Sequence, residues 1–130
     1  MVAIAEHLAE MLSTREDVEL AVLFGSAATG ELQPRSDVDV AVRWTGGDPA
    51  DRDALLAAME RVIGRTIDLV ALDAAPPQLR FEIARNGIVL VERRQGAWSR
   101  ARARAFLDWW DFRPIARTIH RAALARLRNR

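Results

Sequence analysis

Two aspartates at alternating positions of a predicted strand are the residues of this chain best suited to metal chemistry. Asp37 and Asp39 begin an apolar segment that ends at Trp44, and valines alternate with them. Residues at i and i+2 of a β-strand point to the same face, so both carboxylates can bind one cation while the valines enter a core. Mg²⁺ and Mn²⁺ prefer such oxygen ligands and complete their coordination with water and substrate phosphates. The spacing therefore predicts a metal site.

A glycine–serine pair precedes these aspartates. Gly25 and Ser26 lie between a predicted strand, residues 19–24, and a short predicted helix over residues 26–31. Glycine permits close approach of a ligand to the backbone. The Ser26 hydroxyl and the following N–H groups can donate hydrogen bonds to phosphate oxygens at a helix N-terminus. Because the two strands are predicted neighbours, we expect the phosphate site to lie beside the metal-binding carboxylates.

A third carboxylate, Asp68, lies within the otherwise apolar segment 66–72, which predicts another strand. An ionised aspartate is costly to bury unless it is paired or bound to a metal. If this strand lies next to the one that carries Asp37 and Asp39, Asp68 faces the same metal and can accept the proton of an attacking hydroxyl. Phosphoryl-type transfer needs mainly positioning and charge neutralisation, which carboxylate-bound metals supply. The three carboxylates predict transfer chemistry on a nucleoside triphosphate.

Composition limits the classes of function. Half of the 130 residues are apolar, which favours one folded domain spanning residues 1–130. The chain has no cysteine, which excludes thiol catalysis, disulfides and a cysteine-ligated zinc, and which fits a reducing cytoplasm. All 19 basic residues are arginine, so a P-loop lysine is excluded and phosphate must be bound by backbone, serine, arginine or metal. We expect neither a signal peptide nor a membrane-spanning segment.

Charge is distributed unevenly along the chain. Residues 1–92 contain eight arginines and 16 acidic residues, whereas residues 93–130 contain 11 arginines and two aspartates. The predicted basic helical C-terminal segment, residues 94–130, suits an acidic partner or nucleic acid. A solvated arginine-rich helix face that balances an acidic body explains the same pattern equally well.

Hydrophobic spacing predicts an α/β fold of the α+β kind, with a small mixed sheet of about four strands flanked by helices. The predicted strands cover residues 19–24, 37–44, 66–72 and 88–92. Helices are predicted over residues 2–12, 26–31 and 78–85. A further helix is predicted to begin at Pro49, with Asp48 as its cap, and to include residues 54–62. Two C-terminal helices are predicted, one over residues 96–111 and one from Pro114 onward.

The arrangement of these motifs resembles a known family. Gly25-Ser26, ten intervening residues and Asp37-x-Asp39 are similar to the signature of the DNA polymerase β-like nucleotidyltransferase superfamily. The short length and Asp68 resemble its minimal nucleotidyltransferase (MNT) branch. Two further stretches are similar to that branch, residues 79–92 and 106–113. The resemblance covers most of the chain and implies a nucleotidyltransferase fold with metal-dependent transfer of a nucleoside monophosphate from the triphosphate to an acceptor.

The resemblance also implies a role for each residue of the motif. Gly25 and Ser26 would hold the triphosphate. Asp37 and Asp39 would bind Mg²⁺ or Mn²⁺. Asp68 would complete the metal site and help to deprotonate the acceptor.

The MNT branch further implies a partner. Its members are often antitoxins paired with HEPN-domain ribonuclease toxins, and some transfer AMP from ATP to a toxin tyrosine. The resemblance thus implies a protein adenylyltransferase in a hetero-oligomer with a HEPN toxin. We expect no membrane partner, because no apolar stretch is long enough to span a bilayer. The chain has no tyrosine, so a tyrosyl acceptor must come from that partner. Three alternatives remain open: an antitoxin that acts by binding alone, a small-molecule nucleotidyltransferase of the aminoglycoside kind, and a nucleic-acid-directed transferase.

Overall fold

The structure, a computed structural model, describes residues 2–128. Within them the chain forms four strands, five α-helices and one 3₁₀ turn. Their bounds are α1 Val2–Ser13, β1 Val18–Phe24, α2 Ser26–Thr29, β2 Val38–Trp44, α3 Arg52–Ile63, β3 Ile67–Ala71, the 3₁₀ turn Leu72–Ala74, α4 Pro77–Asn86, β4 Ile88–Glu92 and α5 Ala97–Arg128. The ends of the predicted 1–130 domain and of the predicted 94–130 segment lie outside the described residues.

The sheet is mixed, as the sequence predicts. Its strand order is β3-β2-β1-β4. Strand β1 is antiparallel to both β2 and β4, whereas β2 and β3 are parallel. The C-terminal end of β1 and the first residues of β2 and β3 therefore meet at one edge of the sheet.

Helices cover both faces of the sheet. The alternate valines Val38, Val40 and Val42 of β2 are fully buried in a core with side chains of α1 and α3. On the other face, Ala41 belongs to a second core that includes Ile83 of α4. This alternation places Asp39 on the α4 side of β2, because side chains of successive strand residues point to opposite faces. No helix within residues 2–128 is long and apolar enough to cross a bilayer.

The predicted start of α3 is wrong. The helix begins at Arg52 rather than at Pro49, and neither Asp48 nor Asp51 serves as a side-chain cap within the described residues. The Asp51 carboxylate instead accepts two hydrogen bonds from Arg15, at 2.7 and 3.0 Å. Asp51, the carboxylate nearest the start of the helix, thus forms a long-range ion pair with Arg15 instead of capping the helix.

The predicted break at Pro114 is also wrong, because α5 runs without interruption from Ala97 to Arg128. The two predicted C-terminal helices are therefore one. A proline inside a helix removes one N–H donor and leaves the carbonyl four residues earlier without its helical partner. Pro114 is exposed, so water can bind the carbonyl of Trp110. The exposed position makes the continuous helix possible.

Candidate active site

Strand pairing brings the predicted carboxylates to one edge of the sheet. Asp39 pairs in register with Asp68 of β3 and with Phe24 at the end of β1. Adjacent strands lie about 4.8 Å apart, and residues in register share a face. Asp37 directly precedes β2. The adjacency that the sequence suggested for these three aspartates is present.

The three carboxylates differ in exposure. Asp39 is half-buried, whereas Asp37 and Asp68 are exposed. The expected cost of burying Asp68 therefore does not arise, because the strand begins at the sheet edge. Asp68 is therefore accessible from solvent, while Asp39 lies deeper beside the β1 strand.

Negative charge accumulates around Asp39. Burial raises the pKa of the Asp39 carboxyl above its ordinary value, and the neighbouring carboxylates Asp68, Asp37 and Glu82 raise that pKa further. None of the ion pairs formed within residues 2–128 includes Asp37, Asp39 or Asp68. A cluster of carboxylates without arginine partners favours binding of a cation.

The donor set fits a metal that arrives with a nucleotide. Among the described residues, no three His, Cys, Asp or Glu side chains are arranged to hold a metal on their own. Mg²⁺ is usually bound by one or two carboxylates together with waters and substrate phosphates. Asp39 and its neighbours supply such hard oxygen ligands, and phosphate oxygens would complete the coordination.

The backbone of Gly25 explains why glycine stands at the end of β1. Its φ of 71° and ψ of −152° fall in a region that only glycine adopts readily. A Cβ at this position would overlap the Asp39 Oδ2 atom and would lie 3.2 Å from Asp39 Cγ. The absence of a side chain therefore lets Asp39 pack directly against the turn.

Helix α2 begins at Ser26, immediately after this turn. Within the described residues no side chain caps it. The first amide groups of a helix have no partner within the helix, so they can bind an oxygen of a ligand. The Ser26 amide and hydroxyl directly follow Gly25, whose backbone lies beside Asp39, and phosphate binding there stays a prediction.

Arg65 is a residue that the sequence reasoning missed. Its Nη1 atom donates hydrogen bonds to the carbonyl oxygens of Gln33 at 2.9 Å and Ser36 at 3.2 Å. The Gln33 N–H in turn donates to the Ser36 hydroxyl at 3.1 Å. Arg65 thus fixes the loop that leads directly into Asp37. The parallel pairing of β2 with β3 is the signal that could have found it, because it makes the residues before each strand neighbours.

Comparison with known proteins identifies the family. Residues 6–96 match the model of the Polymerase beta, Nucleotidyltransferase family. The match covers more than half of the chain, which therefore belongs to this nucleotidyltransferase family. No curated protein matches the sequence significantly.

Solved structures share the fold. A chain of a toxin–antitoxin complex with AMP-PNP is 21% identical, with a TM-score of 0.77 over 92% of this chain and 98% of that chain. A chain from the complex of tri-AMPylated Shewanella oneidensis HEPN toxin with MNT antitoxin is 19% identical, with a TM-score of 0.73 over 95% and 98%. A protein provisionally assigned as a minimal nucleotidyltransferase is 28% identical, with a TM-score of 0.55 over 67% and 90%. These similarities confirm the predicted fold and the resemblance to the MNT branch.

Proposed function

We propose that this chain transfers AMP from ATP to a hydroxyl of a HEPN-type toxin and thereby acts as its antitoxin. The observation that carries the proposal is the pairing of Asp39 with Asp68 beside the Gly25–Ser26 turn, in a chain of the nucleotidyltransferase family. The similar fold of a toxin–antitoxin complex that contains AMP-PNP supports ATP as donor. The similar complex that contains an AMPylated toxin supports a protein acceptor.

The residues at the sheet edge divide the chemistry between them. Asp37, Asp39 and Asp68 would hold Mg²⁺ or Mn²⁺, which supplies charge neutralisation of the triphosphate when bound. Gly25 and Ser26 bind phosphate oxygens through backbone N–H groups and the serine hydroxyl.

Asp68 accepts the proton of the attacking hydroxyl. A bond forms between the acceptor oxygen and the α-phosphorus, the bond between the α-phosphorus and the bridging oxygen breaks, and pyrophosphate leaves. Because Asp68 is exposed, an acceptor on another macromolecule can reach it. An exposed site suits a protein acceptor better than a small molecule, which is usually enclosed by the pocket that binds it.

A transfer assay tests this function. The purified chain would be incubated with Mg²⁺, ATP labelled at the α-phosphate, and a HEPN-type protein from a neighbouring gene as the toxin. We expect label on the toxin with the wild type and none with the double variant Asp37→Asn/Asp39→Asn. Asp53→Asn is the matched control, because Asp53 is fully exposed in the first turn of α3. An unlabelled toxin with the wild type would contradict the proposal.

Neutralisation by binding alone is the second candidate. The large apolar side chains exposed on α5 favour it, because they offer a surface for association independent of the carboxylates. If Asp37→Asn/Asp39→Asn still neutralises the toxin fully in growing cells, binding rather than transfer is the antitoxin activity.

A further inference from the structure

Exposed apolar surface is concentrated on helix α5. Within the described residues, nine large apolar side chains are exposed, and seven of them belong to α5. Four of these lie in the second half of the helix. Ile115, Ile119 and Leu127 have exposed fractions of 58 to 63%, and Leu124 is 41% exposed. Such a grouping on one element marks an interaction site more often than scattered exposed residues do.

Three of these side chains continue the row of apolar residues by which the first half of α5 packs against the rest of the domain. Ala101 packs against the core, Ala105 is buried and Trp109 stacks on Phe81 of α4 with ring centroids 5.1 Å apart. Steps of three to four residues keep side chains on one face of a helix. The same periodicity leads on through Ile119, Ala123 and Leu127, which are all exposed. The apolar face is therefore covered in the first half of α5 and uncovered in the second. We call Ile115, Ile119, Ala123 and Leu127 the docking stripe.

The second half of α5 gains little stability by itself. Residues 113–128 would form a helix of about 24 Å. Isolated helices of this length are marginal in water, and proteins stabilise them by packing an apolar face. The interior Pro114 weakens the helix further. Association along the docking stripe would supply the missing contacts.

Charge selects the kind of partner. Residues 112–128 contain five arginines and no aspartate or glutamate. Pairing with α5 of a second copy would bring like charges together, which disfavours a homodimer through this helix. A partner surface that carries carboxylates beside an apolar groove has the complementary charge.

We propose that the docking stripe binds the toxin in an apolar groove that is bordered by aspartate and glutamate side chains. The identity of this partner rests on the proposed function. One face of a helix of this length covers roughly 400 Å², about half of the ~800 Å² that each side of a standard interface contributes. The docking stripe therefore acts together with contacts from the body of the domain.

Substitutions of two exposed apolar residues on different helices provide a matched test. Ile119→Glu places a carboxylate in the stripe. Val62→Glu introduces the same charged side chain on α3, away from the stripe, at a residue that is 50% exposed. Both full-length variants would be titrated with purified toxin by calorimetry, and circular dichroism would verify that their helix content matches the wild type.

We expect Ile119→Glu to weaken binding ~30-fold or more, as loss of an interface hot spot does, and Val62→Glu to change binding less than threefold. The rate of AMP transfer at saturating toxin should stay the same in Ile119→Glu, because the stripe does not include the carboxylates. Equal binding by both variants and the wild type would overturn the docking inference, as would equal weakening by both. Tighter binding of the wild type to anionic vesicles or RNA than to toxin would overturn it too.

The same titration separates this inference from the proposed function. Tight binding by the wild type without AMP transfer would contradict the proposed transfer and leave the docking inference standing. Transfer by the wild type, together with unweakened binding by Ile119→Glu, would contradict only the docking inference. If the wild type does not bind the toxin at all, the proposed partner is wrong and the docking inference fails with it.

Discussion

Gly25→Ala changes the point at which the turn that we propose binds phosphate meets Asp39, a carboxylate that we propose binds the metal. The φ of 71° and ψ of −152° at Gly25 would cost an alanine about 1–3 kcal/mol in backbone strain. The added methyl group would also overlap Asp39 Oδ2. The substitution therefore has two effects at once: it strains the backbone and it displaces the Asp39 side chain.

Gly64→Ala separates these two effects. Gly64 ends α3 with a φ of 68° and a ψ of 27°, and a Cβ there would meet no atom within 4 Å. Its expected cost is about 1–2 kcal/mol of left-handed strain. At ~4 °C per kcal/mol for a chain of this size, both variants should melt several degrees below the wild type.

Transfer activity should separate the two variants. If Asp39 binds the metal as proposed, displacing its carboxylate removes several kcal/mol of transition-state stabilisation, which corresponds to about 10²–10³-fold in rate. We expect this loss in Gly25→Ala and less than a threefold loss in Gly64→Ala. The assay measures AMP transfer to toxin at a temperature where both variants are folded by circular dichroism.

A double-variant cycle provides the second readout. In an Asp39→Ala background the carboxylate that the methyl group overlaps is absent, so Gly25→Ala should destabilise the fold by at least ~1 kcal/mol less than in the wild type. Two results would refute the reasoning. One is equal loss of transfer in Gly25→Ala and Gly64→Ala, and the other is the same destabilisation by Gly25→Ala in both backgrounds.

Three further predictions concern charge and hydrogen bonding. The folded-state pKa of Asp39 is raised, so ionisation of this carboxyl lowers the stability of the fold as pH rises through that pKa. At neutral pH, Asp39→Asn should therefore have a higher melting temperature than the nucleotide-free wild type. Below the ordinary aspartate pKa, the two melting temperatures should be equal. Arg65→Ala should lower the rate of AMP transfer ~10-fold relative to Arg61→Ala, which changes an exposed neighbour. Arg65→Lys should restore part of the lost rate. Equal rates for both alanine variants would contradict the role of Arg65 in fixing the loop before Asp37. The hydrogen bond from Arg80 at 2.6 Å lowers the pKa of Asp108. This pair therefore stabilises the fold above the ordinary aspartate pKa, and the stabilisation is lost on acidification. If the melting temperature of Asp108→Asn depended on pH in the same way as that of the wild type, this prediction would be wrong.

The sheet and its site could be predicted because a strand has a simple two-residue repeat. Alternation of aspartate with valine in residues 37–42 is compatible with one face in a core and one face at a polar edge. The predicted position of Asp68 followed once two apolar segments were assigned to neighbouring strands, and the register pairing of Asp39 with Asp68 agrees with it. The roles assigned to these residues remain predictions.

The errors arise where the surroundings of a residue in the fold, a long-range contact or exposure to solvent, override its local signal. Asp48 and Pro49 form a typical helix start, but Arg15 binds Asp51 and the helix begins at Arg52. A proline typically starts a helix, yet Pro114 lies inside α5, where the exposed surface tolerates the lost hydrogen bond. Arg65 acts on a loop about 30 residues away along the chain, which only the strand order reveals.

The mass of the toxin after co-expression with this chain tests the central claim most directly. Intact-mass and peptide measurements would compare toxin produced with the wild type and with Asp39→Asn. The account predicts one or more AMP adducts on toxin tyrosines with the wild type and unmodified toxin with Asp39→Asn. Unmodified toxin with the wild type, or equal modification with both, would contradict it.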